Sequence, residues 1–258
     1  MIDFKDVTFI VPIRFDSEDR KRNFKTSINY LLRNFDTNII VLESDKENNE
    51  KFVKSVSEKI KYVFEKNDEK LFHRTRLLND MTKISDTNII VNYDVDVVFP
   101  LEQYVEARKH IQDGSTMCFP YDGKFYDIPL KFFESINNDN LKQIPLNQCR
   151  LFNPNSVGGA FFFNKEKYKS IGWENENFVS WGHEDWERIY RVEFLGYKLS
   201  RTKGVLYHLT HSRTHNSNEK NPYYNFNGQE ITRIKSLGKD RLLKEISKWS
   251  WCNDFEKV

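Results

Sequence analysis

Four short apolar runs, separated by polar stretches long enough to form helices, constrain this chain most. They are residues 7–12, 38–43, 60–64 and 88–93, rich in β-branched and aromatic side chains. Continuous apolar runs of this length suit strands buried on both faces, as in a parallel sheet; a half-exposed strand would alternate. Between them lie amphipathic segments at 17–33, 48–58 and 72–84. This β-α-β-α order predicts an open α/β sheet with right-handed crossovers. Ligands of such sheets bind beyond the carboxyl ends of the strands, so the residues directly after each strand are the candidates for function.

The later chain is less regular. Residues 124–156 carry Pro129, Pro145, Pro154 and the polar run Asn137-Asn138-Asp139-Asn140, and read as an irregular surface excursion. Regular structure is expected again at 158–163. Helices are expected at 165–170 and at 184–195, the second closed by Gly196. A further strand is expected at 205–208 and a helical tail over 228–249. There is no internal repeat and no clean linker, and 258 residues suit a single domain at roughly 100–200 residues per domain. With 21 Phe, 12 Tyr and 5 Trp the chain can bury a core, which excludes disorder. Lys and Arg number 40 against 38 Asp and Glu, so the basic excess of a general nucleic-acid binder is missing. No apolar run reaches the ~18–20 residues of a membrane span. The first residues lack a signal-peptide pattern, and Cys118, Cys149 and Cys252 show neither a disulfide framework nor zinc spacing. The expectation is a soluble, reduced, cytoplasmic protein.

Asp94-Val95-Asp96 follows the fourth run directly. Carboxylates at the end of a buried strand are costly unless compensated. On an extended chain the two would face opposite ways. A turn lets one reach a metal and leaves the other to a sugar or ribose hydroxyl, with a hard divalent cation and a diphosphate as natural partners. A solvated strand-end turn would produce the same tripeptide. His208 and His211 lie near the end of the last strand, and either or both could supply a nitrogen ligand; a backbone-bonded His208 beside an exposed His211 is the structural alternative. Carboxylate plus imidazole suits Mn2+ better than Mg2+. Trp181-Gly182-His183-Glu184-Asp185 opens a predicted helix, where acidic groups complement the dipole. The same dipole keeps a carboxylate ionised, as a base requires, and Trp181 offers a flat face to a sugar. Pro12-Ile13-Arg14 and Phe72-His73-Arg74 could clamp phosphate and cover a base, or serve as surface ion-pair and core residues.

Taken in order, these segments resemble the β-1,4-galactosyltransferase family (family 7-like C-terminal domain), glycosyltransferases of the GT-A fold. Residues 10–14 are similar to the family's IPFR segment, and 72–79 to its FNRAKLLN segment. Asp94-Val95-Asp96 stands where the family has its DVD metal motif. Gly158-Gly159 with Asn164-Lys165-Glu166 resembles GGV…TKE, and residues 181–185 resemble WGGED. His211-Ser212-Arg213 and Asn221-Pro222 resemble the HSR and NP stretches.

The resemblance implies one GT-A domain over 1–258, a single Rossmann-like mixed sheet flanked by helices. Within it, 1–100 would form the nucleotide-sugar half, 101–227 the acceptor-side and catalytic half, and 228–258 a helical tail. It implies that Asp96, with His208, His211 or both, holds Mn2+ (or Mg2+), and that Asp94 holds the sugar or ribose. Pro12, Arg14, Phe72, Arg74, Trp181 and Gly182 would line the donor pocket. Asp185 would be the catalytic base and Glu184 its acceptor-binding neighbour. The chain departs from the family at His183, which replaces a Gly, and at Trp186 and Glu187, which replace an acidic run. The family's membrane anchor and disulfide cysteines are also missing.

The function implied is inverting transfer of a hexose or N-acetylhexosamine from a UDP-sugar to a glycan or glycolipid hydroxyl, as in polysaccharide biosynthesis. A sugar nucleotidyltransferase is the second reading, weakened because Pro12-Ile13-Arg14-Phe15-Asp16 lacks a glycine-rich phosphate loop. A non-catalytic carbohydrate- or nucleotide-binding module is the third. Residues 239–251 mix Lys, Leu, Ile and Trp and suit either a packed terminal helix or contact with a membrane surface.

Overall fold

Each apolar run of the N-terminal hundred residues is a strand in the computed structural model, which describes residues 1–137, 140–212 and 221–253. The strands are β1 (Ile2–Ile13), β2 (Phe35–Asp45), β3 (Lys61–Lys66) and β4 (Ile89–Tyr93). Between them run α1 (Glu18–Asn34), α2 (Glu50–Val56) and α3 (Arg74–Lys83). Ser17 caps α1 by accepting a hydrogen bond from the Arg20 amide, and Glu18 and Asp19 face its positive end.

The chain continues through β5 (Val97–Val98), α4 (Leu101–Gln112), β6 (Met117–Phe119), β7 (Phe125–Ile128), α5 (Phe133–Asn137) and β8 (Arg150–Asn153). It then forms β9 (Ala160–Asn164), α6 (Lys165–Lys169), α7 (Glu184–Phe194), β10 (Leu199–Arg201) and β11 (Leu206–Leu209). Last come α8 (Tyr224–Ser236), α9 (Lys239–Ile246) and α10 (Ser250–Asn253).

Seven strands make one mixed sheet in the order β10-β6-β9-β4-β1-β2-β3. β1, β2, β3 and β4 are mutually parallel, and β9 runs antiparallel between β4 and β6. β1 and β4 sit in mid-sheet, so their apolar runs are buried on both faces. Phe9 and Tyr93 meet edge to face there at 5.4 Å.

A second sheet, β5-β11-β7-β8, lies beside the first. Its presence corrects two expectations: a single sheet, and an irregular excursion over 124–156. β7 and β8 come from that stretch, which also buries Ile128, Phe133, Ile136, Leu141 and Ile144. Strands of four residues at a sheet edge carry too little periodicity to stand out from a Pro- and Asn-rich background. Asn138 and Asp139 of its polar run lie outside the described residues.

The tail differs too. It is not one helix over 228–249. α8 begins earlier, at Tyr224, and the chain breaks where Leu237 and Gly238 are extended. The amphipathic α9 packs on the body, burying Leu242 and Ile246, and Trp249 lies against Gly172 so closely that a Cβ there would meet the indole at 2.6 Å. No helix among the described residues is long and apolar enough to cross a membrane.

Candidate active site

The tripeptide Asp94-Val95-Asp96 leaves β4 as a turn because its neighbours hold it there. The buried Tyr93 hydroxyl donates to the Val97 carbonyl at 2.6 Å, the Asp94 amide donates to Gly159, and the Leu209 amide donates to the Asp96 carbonyl. The last bond ties the turn to β11, which carries His208.

The turn sends the two carboxylates to different partners. Asp94 accepts from Arg74 Nη2 at 2.7 Å. Its carboxyl is nevertheless raised above the usual range, by burial first and by the charge of Asp96, against the pull of Arg74. Asp96 Oδ2 lies 3.1 Å from His211 Nε2, 3.9 Å from His208 Nε2 and 3.8 Å from Arg20 Nη1. Burial alone would push Asp96 up; the His211 hydrogen bond and the charges of both imidazoles and Arg20 overcome it and hold the carboxyl well below its ordinary range. The same contact raises His211.

One carboxylate oxygen and one nitrogen from each imidazole lie within 4.8 Å of one another. His208 Nδ1 is 2.7 Å from Asp127 Oδ1, and His211 Nδ1 is 2.8 Å from the Ser212 carbonyl. Both partners are acceptors, so both Nδ1 atoms carry hydrogen and both Nε2 lone pairs turn toward Asp96. Three electron-pair donors thus converge with outer-sphere support of the kind metal ligands have, and the donor set fits a divalent cation such as Mn2+. Both histidines take part in this arrangement, and the backbone-bonded alternative for His208 is not what its ring nitrogen does.

These groups lie in a cleft of about 460 Å3 that every residue proposed from the sequence lines: Pro12, Arg14, Phe72, Arg74, Asp94, Asp96, Trp181, Gly182, Glu184, Asp185, His208 and His211. Arg14 differs from expectation in what it holds. Its guanidinium donates to the carbonyls of Ser44, Glu69, Lys70 and Leu71 and lies 5.7 Å from the Phe72 ring. It fixes the loop that presents Phe72. Arg213 lies outside the described residues.

The approach to α7 is wound by left-handed residues: Ser180 at φ 62°, Gly182 at 113° and His183 at 70°. A Cβ on Gly182 would sit 2.8 Å from the Tyr224 ring, so only glycine allows that approach. Tyr224 stacks on Trp181 with ring centres 5.9 Å apart, and His183 packs on Tyr224 at 4.6 Å. Glu184 is buried and accepts from the Gly182 amide; burial and the adjacent Asp185 push its carboxyl up to about 7. Asp185 Oδ1 accepts from Arg188 Nη1 at 2.8 Å, while its Oδ2 lies over Gly158, where a Cβ would be 2.8 Å away. Arg188, fully buried, forks onto both oxygens of Glu174 and is thereby fixed in place.

Sequence reasoning missed Asp127, Arg20, Tyr224 and the Arg188–Glu174 pair. Arg188 was findable, since Asp185 and Arg188 are three apart on a predicted helix. Asp127 had no signal of its own.

Residues 141–216 match the family model described as the N-terminal domain of galactosyltransferase. No curated protein sequence matches the chain. Among solved structures, the catalytic domain of Drosophila beta1,4galactosyltransferase 7, in complex with xylobiose, is similar at 19% identity and TM-score 0.54, over 93% of this chain and 84% of that one. GalNAc-T7 with UDP, GalNAc and Mn2+ is similar at 12% identity and TM-score 0.56, over 84% of this chain and 45% of that one. The mannosyltransferase PcManGT from Pyrobaculum calidifontis, with GDP-Man and Mn2+, follows at 14% identity and TM-score 0.53, over 80% and 56%. At such identities the likeness is one of fold. The matched segment contains Asp185, His208 and His211, and with the shared architecture it places the chain among the galactosyltransferase-like enzymes of the GT-A fold.

Proposed function

We propose that this enzyme transfers a hexose or N-acetylhexosamine from a UDP-sugar to a glycan hydroxyl, with inversion at the anomeric carbon and with Asp185 as base. The observation that carries the reading is the convergence of Asp96, His208 and His211 in the same cleft as Asp185. A divalent cation held by those three residues supplies Lewis-acid neutralisation of the charge that develops on a leaving diphosphate. The Mn2+ and UDP of the GalNAc-T7 complex, and the manganese and UDP-Gal of a second Drosophila galactosyltransferase complex, support this choice of donor.

The chain's own residues account for the remaining steps. Phe72 covers the base and Arg14 keeps its loop in place. Arg74 orients Asp94 toward the donor sugar or ribose. Arg188 holds one oxygen of Asp185, leaving the other to accept the acceptor's proton as its oxygen attacks. Because Arg188 is itself clamped by Glu174, the base is positioned before substrate arrives. Glu184, carrying its proton up to about pH 7, offers an acceptor hydroxyl a hydrogen-bond donor beside the base.

A panel of UDP-sugars with Mn2+ and glycan acceptors, followed by proton NMR of the new linkage, tests this reading. The expected product has the opposite anomeric configuration to the donor. Asp185→Asn should lower kcat by about 10²–10⁴-fold while UDP still binds. Retained configuration, or full activity of Asp185→Asn, would overturn the mechanism.

A further inference from the structure

The inference concerns the acceptor and rests on the glycosyltransferase reading of the cleft. Asp185 stands where the β8–β9 connection meets the start of α7, with its Oδ2 against Gly158. A hydroxyl delivered to that oxygen therefore arrives between these two segments. Each segment presents a large ring to solvent there. Trp186, next to Asp185 on α7, is 51% exposed, and Phe152, near the end of β8, is 41% exposed. Both line the cleft.

Other rings of the cleft are engaged with one another: Trp181 with Tyr224, and Phe125 with His208 at 4.8 Å. Phe152 packs on Phe125 at 5.5 Å, so a row of rings runs outward from the cation site and ends at the exposed Phe152. Aromatic surface left in water beside a reaction centre marks a place where something apolar is to be covered. Pyranose rings have such a surface, a face of C–H bonds, with hydroxyls at the rim. Asn155, exposed between Phe152 and Gly158, offers an amide for those hydroxyls.

We propose that Trp186 and Phe152 form a subsite for the second sugar of an oligosaccharide acceptor. The enzyme then prefers glycan chains of two or more units to single sugars.

The test uses the full chain with Mn2+ and UDP. An array of neutral mono- to tetrasaccharides is screened, and the best-bound oligosaccharide is titrated calorimetrically against wild type, Trp186→Ala, Trp186→Phe and Phe152→Ala. Wild type should hold the oligosaccharide more tightly than its terminal monosaccharide. Each alanine variant should weaken it about five- to tenfold, and Trp186→Phe should retain most of the affinity. Equal affinity in wild type and Trp186→Ala, equal binding of the monosaccharide, or no oligosaccharide retained at all would overturn the subsite. UDP affinity is measured in the same samples; a wild type that binds no UDP with Mn2+ overturns the donor reading instead.

Discussion

Asp127 orients the imidazole of His208 from behind, taking the Nδ1 hydrogen and leaving Nε2 toward Asp96. Removing an outer partner of this kind weakens metal binding about 10–100-fold. Asp127→Ala is therefore expected to weaken Mn2+ by that factor in an EPR titration, while an Asp127 variant with wild-type affinity would show that His208 needs no such support. Glu184 gives a pH signature. Its folded-state carboxyl stays protonated to about pH 7, whereas in the unfolded chain it ionises in the ordinary range. As pH rises between those values the unfolded chain alone loses the proton, so stability falls. Glu184→Gln has no proton to lose, and its Tm advantage over wild type should be larger at about pH 8 than at about pH 5. A gap that does not widen would contradict the burial argument. Much of the residue-scale reading was open in the sequence, because Asp94, Asp96, Glu184 and Asp185 sit at element ends where chemistry concentrates. Asp127 was not, since it sits mid-strand in a segment without periodicity, and no local rule connects it to a histidine 81 residues away. Arg14 was found but its bonds to backbone carbonyls were not, because sequence does not show which carbonyls a loop leaves unpaired.

Two short devices fix the site at the element scale: the turn after β4 and the left-handed approach to α7. The second depends on Arg188, which joins α7 to the loop carrying Glu174 through a pair with almost no solvent contact. Truncating one partner of a buried pair leaves the other charge uncompensated, which typically costs about 3–5 kcal/mol. Arg188→Ala should lose that much in a denaturant titration; a loss under about 1 kcal/mol, the worth of an exposed pair, would mean the pair is solvated. The long central strands were legible because four to six consecutive apolar residues have no other good use. β5, β7, β8 and β10 were not: two to four residues make less than two periods of any pattern. Gly228, read as the start of the tail helix, lies inside α8, since an interior helical glycine costs only about 1 kcal/mol and packing outweighs it.

Across the whole molecule, topology brings distant residues together. Asp96 follows a mid-sheet strand, and β11 pairs with β5 so that His208 stands across from Val97. The expected α/β sheet was readable from order alone, but that pairing was not, because it belongs to the second sheet. The account's central claim is that Asp96, His208 and His211 hold a divalent cation against the donor diphosphate. Titration of Mn2+ into the protein with UDP present tests it most directly. One saturable equivalent is expected for wild type, with binding lost in Asp96→Ala and in the His208→Ala/His211→Ala double variant. Wild-type affinity in either variant, or no saturable binding in the wild type, would contradict the claim.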